Sequence, residues 1–327
     1  MREGATSANT FDQAHMTASN RSWIHDGIEG AAYTALTSGL PASRVWSLLL
    51  SVAEARAAQR TEANLLQQWE RDRFVQPCYV DQRTLNELDS HLLAAAASFE
   101  AIELAPLAPL GTCSAVALAS QNKIVSTVRG TEVVSDPTNV LALECARRLR
   151  QNRSAEVRLA TSHRCVRAQA VPKAPGFAAH FRMFCLASAG HERENRDFTV
   201  LALIEHIRTH LAALDRLEQH GYAFPGRSLR VLASARNEVL AERVASAIEG
   251  VQVTREPLEH EYYDGLRFMI HVQGPQAAEI PFIDGGAFNW LKRLTSNGKL
   301  SFVASGMGSQ LAAFLFRKPV AGRAASR

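Results

Sequence analysis

Between Ser162 and Gly190 the chain reads SHRCVRAQAVPKAPGFAAHFRMFCLASAG. Two stretches of strand-forming residues flank a turn made by Pro172, Pro175 and Gly176, and Arg167 stands near the end of the first stretch. A strand, a proline-glycine turn and a second strand with one arginine beside the turn can aim that guanidinium into a cleft. Taken alone, Ser162, His163, Arg164 and Arg167 also fit an exposed edge strand with solvated charges.

The hairpin sits in a β-rich second half. Strand-like segments run over Thr112–Ala119, Lys123–Val128, Val157–Thr161, His163–Val171 and Ala178–Ala187, and the short spacing of their turn residues predicts an antiparallel sheet. The sheet resumes at Tyr262–Val272, where Leu266, Phe268, Ile270 and Val272 alternate inward, and closes with PFIDGG, FVASGMG and a short helix from Gln310 to Phe316. Helices are predicted over Asn139–Leu149 and Phe198–Leu217, the latter with Leu203, Ile204, Ile207, Leu211 and Leu214 on one face. Leu229–Ala233 and a helix over Glu238–Ile248 read as a small α/β insertion, about 219–257, set against the main sheet.

Upstream, a helix announced by Asp81 carries Leu85, Leu88, Leu92 and Leu93 toward Ser98, and the strand FEAIELAPL follows it. Trp23 to Trp69 is helical in pattern, with Val45, Leu48, Leu49, Val52 and Ala53 on one face after Pro41. The expected organisation is a loose N-terminus and helical extension over 1–80, an α+β core over 81–317 and a loose tail over 318–327.

Composition narrows the classes. A chain of 327 residues, 46% hydrophobic and 21% charged, can bury a full core. No apolar run is long enough to span a bilayer, and the first twenty residues lack the apolar stretch of a secretory signal, so the expectation is a cytoplasmic protein with no membrane partner. Cys78, Cys113, Cys145, Cys165 and Cys185 are odd in number, with no zinc-ligand spacing, and are expected to be reduced and mostly buried. The net charge of +4 is mild. Arg147, Arg148, Arg150 and Arg153 cluster where a helix ends, either as a solvated terminus or as a patch facing RNA. His163, His180 and His191 lie near the hairpin at spacings that fit no metal site.

The order of helix, proline-bearing strand, antiparallel sheet, central insertion and glycine-rich strand-to-helix ending resembles the catalytic core of class II aminoacyl-tRNA synthetases. In detail it is similar to histidyl-tRNA synthetase and its paralogue, the regulatory subunit of ATP phosphoribosyltransferase, over Asp81 to Phe316. The resemblance implies a class II synthetase-like antiparallel sheet flanked by helices, and a homodimer through Leu85 to Leu107, with Pro106 at the family's proline position. The family stretch whose Glu and Thr hold the substrate's α-amino group resembles Ser135-Asp136-Pro137-Thr138, so Asp136 and Thr138 keep a carboxylate and a hydroxyl suited to an ammonium; the same residues also read as a helix cap. The phosphate-gripping Arg-x-Glu resembles Arg167-Ala168-Gln169, which makes Arg167 and Gln169 the nucleotide-binding candidates.

Several positions depart from the family. Met183 and Ala187 stand where its polar readers of histidine stand. Leu258 replaces the catalytic arginine of a stretch of which Tyr262, Tyr263, Asp264 and Gly265 survive, and Gly285-Gly286-Ala287-Phe288-Asn289 matches the stretch lining the imidazole side. In Gly306-Met307-Gly308-Ser309-Gln310-Leu311 a leucine stands in place of the adenine-stacking arginine. Arginines on developing phosphoryl or acyl charge contribute several orders of magnitude in rate, and leucine cannot replace them. Arg129, on the run Gln121–Asp136, is a candidate replacement cation if that run borders the cleft.

These readings predict a paralogue that does not charge tRNA and binds a small amino-acid-like ligand as a regulatory or accessory subunit, beside a catalytic partner subunit. The chain ends shortly after its last motif, so no anticodon-binding domain is expected. The competing reading is an ATP-dependent ligase that activates an unusual carboxylate, with ATP on Arg167 and Mg²⁺ neutralising charge; a scaffold built on the N-terminal helices is a third.

Overall fold

The computed structural model describes residues 30–169, 178–259 and 261–318. They fall into two units, one holding the chain up to Leu65 together with Thr127–Gly130, the other holding Leu66–Ser126 and the chain from Thr131 onward. The expected loose first twenty residues, most of the tail and the Pro172–Gly176 turn lie outside the described residues.

The first unit contains α1 (Gly30–Thr34) and α2 (Ala42–Ala57), which starts after Pro41 as expected. Of the predicted apolar face of α2 only Val45 is buried, while Leu48 and Val52 are exposed. Gly130 adopts φ +69°, and a side chain there would begin 3.0 Å from the Trp46 indole nitrogen. That close approach is what joins the turn at 127–130 to this unit. Helix α3 (Glu62–Arg71) spans the boundary; Thr61 and Asn64 cap it reciprocally, and it leaves Leu65, Leu66 and Trp69 exposed.

The second unit is built on an eight-stranded sheet in the order β1-β4-β5-β10-β9-β8-β6-β7, from β1 (Glu100–Ala101), β4 (Val157–Val166), β5 (His180–His191), β6 (Ser228–Ala233), β7 (Gln252–Pro257), β8 (Leu266–Gln273), β9 (Glu279–Phe288) and β10 (Leu300–Met307). The six central strands, β4 to β6, pair antiparallel throughout, and β1 and β7 add one parallel pairing at each edge. The expected antiparallel platform is therefore the centre of a mixed sheet. The stretch read as an insertion against the sheet belongs to it: β6 pairs with β8, and α8 (Glu238–Ser246) connects β6 to the parallel β7.

Alternation divides the sheet into two faces. On one, Phe184 and Leu186 of β5, Val303 of β10 and Leu266, Phe268, Ile270 and Val272 of β8 are fully buried beneath α4 (Gln82–Ala95) and α7 (Asp197–Gln219). Asp81 caps α4 by accepting the Arg83 N–H at 2.9 Å, and the helix turns Leu85, Leu88 and Leu92 inward. The other face packs Leu159, Ala187, Phe302 and Ala304 against Leu141, Cys145 and Leu149 of α6 (Pro137–Gln151), with α9 (Trp290–Thr295) beside it and α10 (Ser309–Leu315) closing the chain order.

Three local expectations are corrected. FEAIELAPL divides at Pro106 into β1 and β2 (Leu107–Pro109), which belong to different sheets; β2 pairs with β3 (Thr131–Val133). Thr112–Ala119 is not a strand: Thr112–Val116 forms the short helix α5, because the buried Glu132 carboxylate accepts the N–H groups of Gly111 at 2.8 Å and Cys113 at 2.9 Å, and Gly111 adopts φ +88°. Lys123–Val128 is not a strand either: it follows a 3₁₀ turn at Gln121–Lys123 and makes a lone bridge from Ser126 to Glu132. Glu132 also accepts from Gln121 Nε2 at 2.9 Å, so Glu132→Gln, which turns one acceptor into a donor facing donors, should destabilise the protein by about 1–3 kcal/mol in denaturant titration.

Candidate functional site

Arg167 follows β4 on the face that carries α6. Its N–H donates to the Ala179 carbonyl at 2.9 Å, and the preceding residue, Val166, donates to Val134, so the end of the hairpin is pinned on both sides. The guanidinium lies over the Phe181 ring at 5.0 Å, donates from Nε to the Ser135 carbonyl at 3.1 Å, and sits 3.8 Å from the Met183 sulfur. Its Nη2 is 3.7 Å from Asp136 Oδ2.

Asp136 is the N-cap of α6: Oδ1 accepts the Thr138 N–H at 3.0 Å and the Thr138 hydroxyl at 2.7 Å. Cap and cleft are thus one structure. Asp136 faces a cation on one oxygen and orders the helix with the other. The Thr138 hydroxyl donates its hydrogen bond to Asp136, which leaves the hydroxyl oxygen able to accept.

The same face of the sheet stays partly exposed beyond the first turn of α6, at Arg167, Met183, Arg267, Met269, Asp284 and Gly306. Here the structure gathers a second charged pair. Arg267 of β8 donates from Nε and Nη2 to the two oxygens of Asp284 on β9, both at 2.9 Å, and Tyr263 donates its hydroxyl to Asp284 Oδ2 at 2.9 Å. The guanidinium lies 5.1 Å from the centroid of the Tyr263 ring. Burial, together with Asp284, pushes the Tyr263 phenol up; burial opposes the Arg267 charge, but Asp284 outweighs it and holds that pKa above its ordinary value. Both therefore act as donors at neutral pH.

Tyr262 and Tyr263 precede β8 in a turn and do not begin the strand as expected. Asp264 fixes this turn by its N–H on the Ala287 carbonyl at 2.7 Å and its carboxylate on Lys292 at 2.8 Å. Tyr262 packs edge-on against Tyr263 and Phe288, with centroids 5.1 and 5.5 Å away, and lies within electrostatic reach of Asp136, Asp284 and Arg167.

Other expected site residues are placed differently. Ala187 is fully buried against α6, and Gln169 is exposed. Phe288 stacks on Trp290 at 4.0 Å, and Asn289 turns outward to accept from Arg293 Nε at 3.2 Å. Gly285 faces the helical side, where a side chain would begin 2.4 Å from Ser305 Cβ; the space at Gly286 is filled by the Tyr263 ring, 2.4 Å from where its Cβ would stand. Arg129 lies in Thr127–Gly130, which belongs to the first unit. Burial pushes the thiols of Cys113, Cys165 and Cys185 up, which removes a thiolate nucleophile from the chemistry available here. His180 is held by the Gln76 carbonyl and Arg164. At the end of α6, Arg148 is committed to Glu100 and Glu144.

Arg267 and Asp284 were not singled out from the sequence. The signal existed: Arg267 interrupts the apolar alternation of β8 on its outward side, and Asp284 immediately precedes the Gly285-Gly286 pair on the next strand.

No family model and no curated protein matches the chain. Solved structures do. Apo histidyl-tRNA synthetase of S. aureus superposes with TM-score 0.56 at 12% identity, over 73% of this chain and 68% of that one. A Bacillus halodurans protein described as an ATP phosphoribosyltransferase regulatory subunit/histidyl-tRNA synthetase gives 0.53 at 14%, over 73% and 82%. A histidine–tRNA ligase subunit of Alicyclobacillus acidocaldarius gives 0.53 at 14%, over 73% and 95%. At these identities the likeness is one of architecture, and the chain has the class II aminoacyl-tRNA synthetase-like fold.

Proposed function

We propose that this chain binds a small amino-acid-like ligand on the α6 face of its sheet and acts as a regulatory or accessory subunit without charging tRNA. The observation that carries the reading is the setting of Arg167: Nε is held by the Ser135 carbonyl, Nη2 stands 3.7 Å from Asp136, too far for a hydrogen bond, and Leu258 and Leu311 supply no second cation. A carboxylate and a guanidinium 3.7 Å apart match the ammonium and carboxylate of an amino acid.

The same residues do not fit ATP with Mg²⁺. Adenylyl transfer to a carboxylate asks for several cations around the triphosphate, whereas Arg167 and Arg267 each stand beside an aspartate, and Asp136 and Asp284 each face an arginine in place of a metal. The name of the Bacillus halodurans relative supports a regulatory role beside a catalytic partner subunit. No helix among the described residues is long and apolar enough to cross a membrane. A cytoplasmic homodimer through Leu85 to Leu107 remains part of the proposal: Leu85, Leu88 and Leu92 face the chain's own core, and Leu107 is exposed.

The test combines pyrophosphate release with calorimetry. With ATP, Mg²⁺ and each amino acid, release is expected at background, while at least one free amino acid binds and Arg167→Gln weakens it about tenfold or more. Robust pyrophosphate release with any amino acid would overturn the accessory reading in favour of a ligase.

A further inference from the structure

Strand register sets five residues in one row across the α6 face: Thr161 on β4, Cys185 on β5, Gly306 on β10, Asp284 on β9 and Met269 on β8. Directly opposed residues point to the same face, so the missing side chain of Gly306 leaves a gap between Cys185 and Asp284. A Cβ at Gly306 would stand 3.0 Å from Cys185 Sγ and 3.4 Å from Met183 Cε. The backbone there lies outside the left-handed region, so what glycine provides at this position is space. Gly306 and Met183 are both partly exposed, and the gap is reached from solvent. One side chain connects it to the Asp136 end. Asp136 Oδ2 is 3.7 Å from Arg167 Nη2, Arg167 Nη2 is 3.8 Å from Met183 Sδ, and the methyl carbon on that sulfur is the atom that faces the gap. A ligand whose α-ammonium and α-carboxylate meet Asp136 and Arg167 can therefore lay its side chain along Met183 and end over Gly306.

What the gap accepts follows from the atoms around it. Met183 offers a thioether and a methyl, and Cys185 a thiol that full burial holds in its neutral, protonated form. His163 stands across from Met183 on β4, the strand away from Gly306, and is itself buried. Asp284, on the other flank, has both oxygens on Arg267, which lies opposite Gly286, one row further from Met183. A ligand carboxylate reaching the gap would leave Arg167 behind and approach the Asp284 charge. A ligand ammonium would find that charge already neutralised by Arg267. An amide or imidazole would face sulfur atoms, which are weak hydrogen-bond partners. A straight aliphatic or thioether chain gives up no hydrogen bond with water and packs against atoms of its own kind.

Resting on the amino-acid-binding reading above, we propose that the gap at Gly306, walled by Met183 and Cys185, selects an α-amino acid with an unbranched apolar side chain, aliphatic or thioether. Met183 sets its length, because one Sδ–Cε bond covers the way from the arginine contact to the gap. Gly306 sets its width, because the opening is a single residue wide between the flanking strands.

Calorimetry on the full chain with methionine, norleucine, alanine, valine, glutamine, glutamate, lysine and histidine tests this. Methionine or norleucine is expected to bind about tenfold or more tighter than the polar side chains of similar length, and tighter than alanine, which stops short of the gap. Gly306→Ala narrows the gap and should reduce the advantage over alanine about tenfold. Met183→Gln keeps the length of the wall but replaces its sulfur with an amide, and should cut the methionine-over-glutamine ratio by a similar factor; being partly exposed, it reads the wall even where Gly306→Ala melts early. Binding of any of the others as tight as methionine and norleucine would overturn the unbranched apolar assignment and leave the amino-acid site standing. A methionine-over-glutamine ratio unchanged in Met183→Gln would overturn the placement at Gly306. Binding of none of the full set of amino acids would overturn the amino-acid reading itself.

Discussion

Gly286→Ala is expected to destabilise the protein by about 2–3 kcal/mol and to lower the melting temperature by roughly 5–10 °C. The added methyl would stand 2.4 Å from Tyr263 Cδ1 and 2.5 Å from the Leu266 carbonyl oxygen. The ring can rotate away; the carbonyl belongs to the start of β8 and cannot move without disturbing the ladder to β9. If the ring yields, Tyr263 loses its hydrogen bond to Asp284 and its contact with Arg267. Gly298→Ala is the matched control, because nothing lies within 4 Å of its would-be Cβ and its φ is negative or extended. Differential scanning calorimetry of the two variants separates a packing clash from a general loss of glycine. A Gly286→Ala protein as stable as the parent would mean that Tyr263 does not occupy this space.

The burial of the ring also explains why the glycine pair misleads as a sequence signal. A double glycine on a strand suggests room for a ligand, but the two residues serve opposite faces: one admits Ser305 and Phe268, the other Tyr263. Sequence shows that backbone approaches something closely, not what. Elsewhere the reading worked where physics is local. Asp81 and Asp136 are legible as caps because their side chains bond amides two residues on, and Leu266, Phe268, Ile270 and Val272 are legible because alternation encodes a face. It failed where a distant residue decides. Thr112–Val116 is helical through Glu132, nineteen residues downstream of Cys113, and nothing near Thr112 announces that. Arg267 and Asp284 belong to the same class: each looks like a solvated strand residue until register puts them on one face.

The two arginines of this face share one setting, each beside a carboxylate. An arginine poised for phosphate needs its charge uncommitted, whereas Arg167 leans on Asp136 and on Phe181. Both ends of the face carry internally neutralised pairs.

Acid should weaken the fold well above the usual carboxylate range, by roughly 4–5 kcal/mol between pH 6.5 and pH 4.5. His206 and His210 project from α7 into the core, both fully buried. His206 hydrogen-bonds Ser305 Oγ at 2.8 Å and Ser188 Oγ at 3.0 Å; His210 Nε2 meets the same Ser305 Oγ at 2.8 Å, and its Nδ1 has no partner. The aromatic rings around them are Phe99, Phe184 and Phe268, and no carboxylate is among these contacts to accept a charged imidazole. Burial lowers the pKa of His210 to about 3 and that of His206 well below its ordinary value, with His210 adding to the shift. In the unfolded chain both titrate near 6.5. Below that pH the unfolded state takes up protons that the folded state refuses, so the stabilisation is complete above pH 6.5 and falls as the pH drops toward the folded-state values, by about 1.4 kcal/mol per pH unit for each histidine. His91, His163 and His271, which burial also shifts downward, steepen the same slope. Urea titrations at pH 7.5, 6.0 and 5.0 read the effect before most carboxylates protonate. His206→Gln with His210→Gln keeps neutral hydrogen-bonding side chains at both places and should flatten the pH dependence by about 2.8 kcal/mol per unit while lowering stability at pH 7.5 modestly. A parent protein equally stable at pH 7.5 and 5.0 would show that these imidazoles can be protonated where they stand, and that the α7 face of the sheet is more open to water than its packing implies.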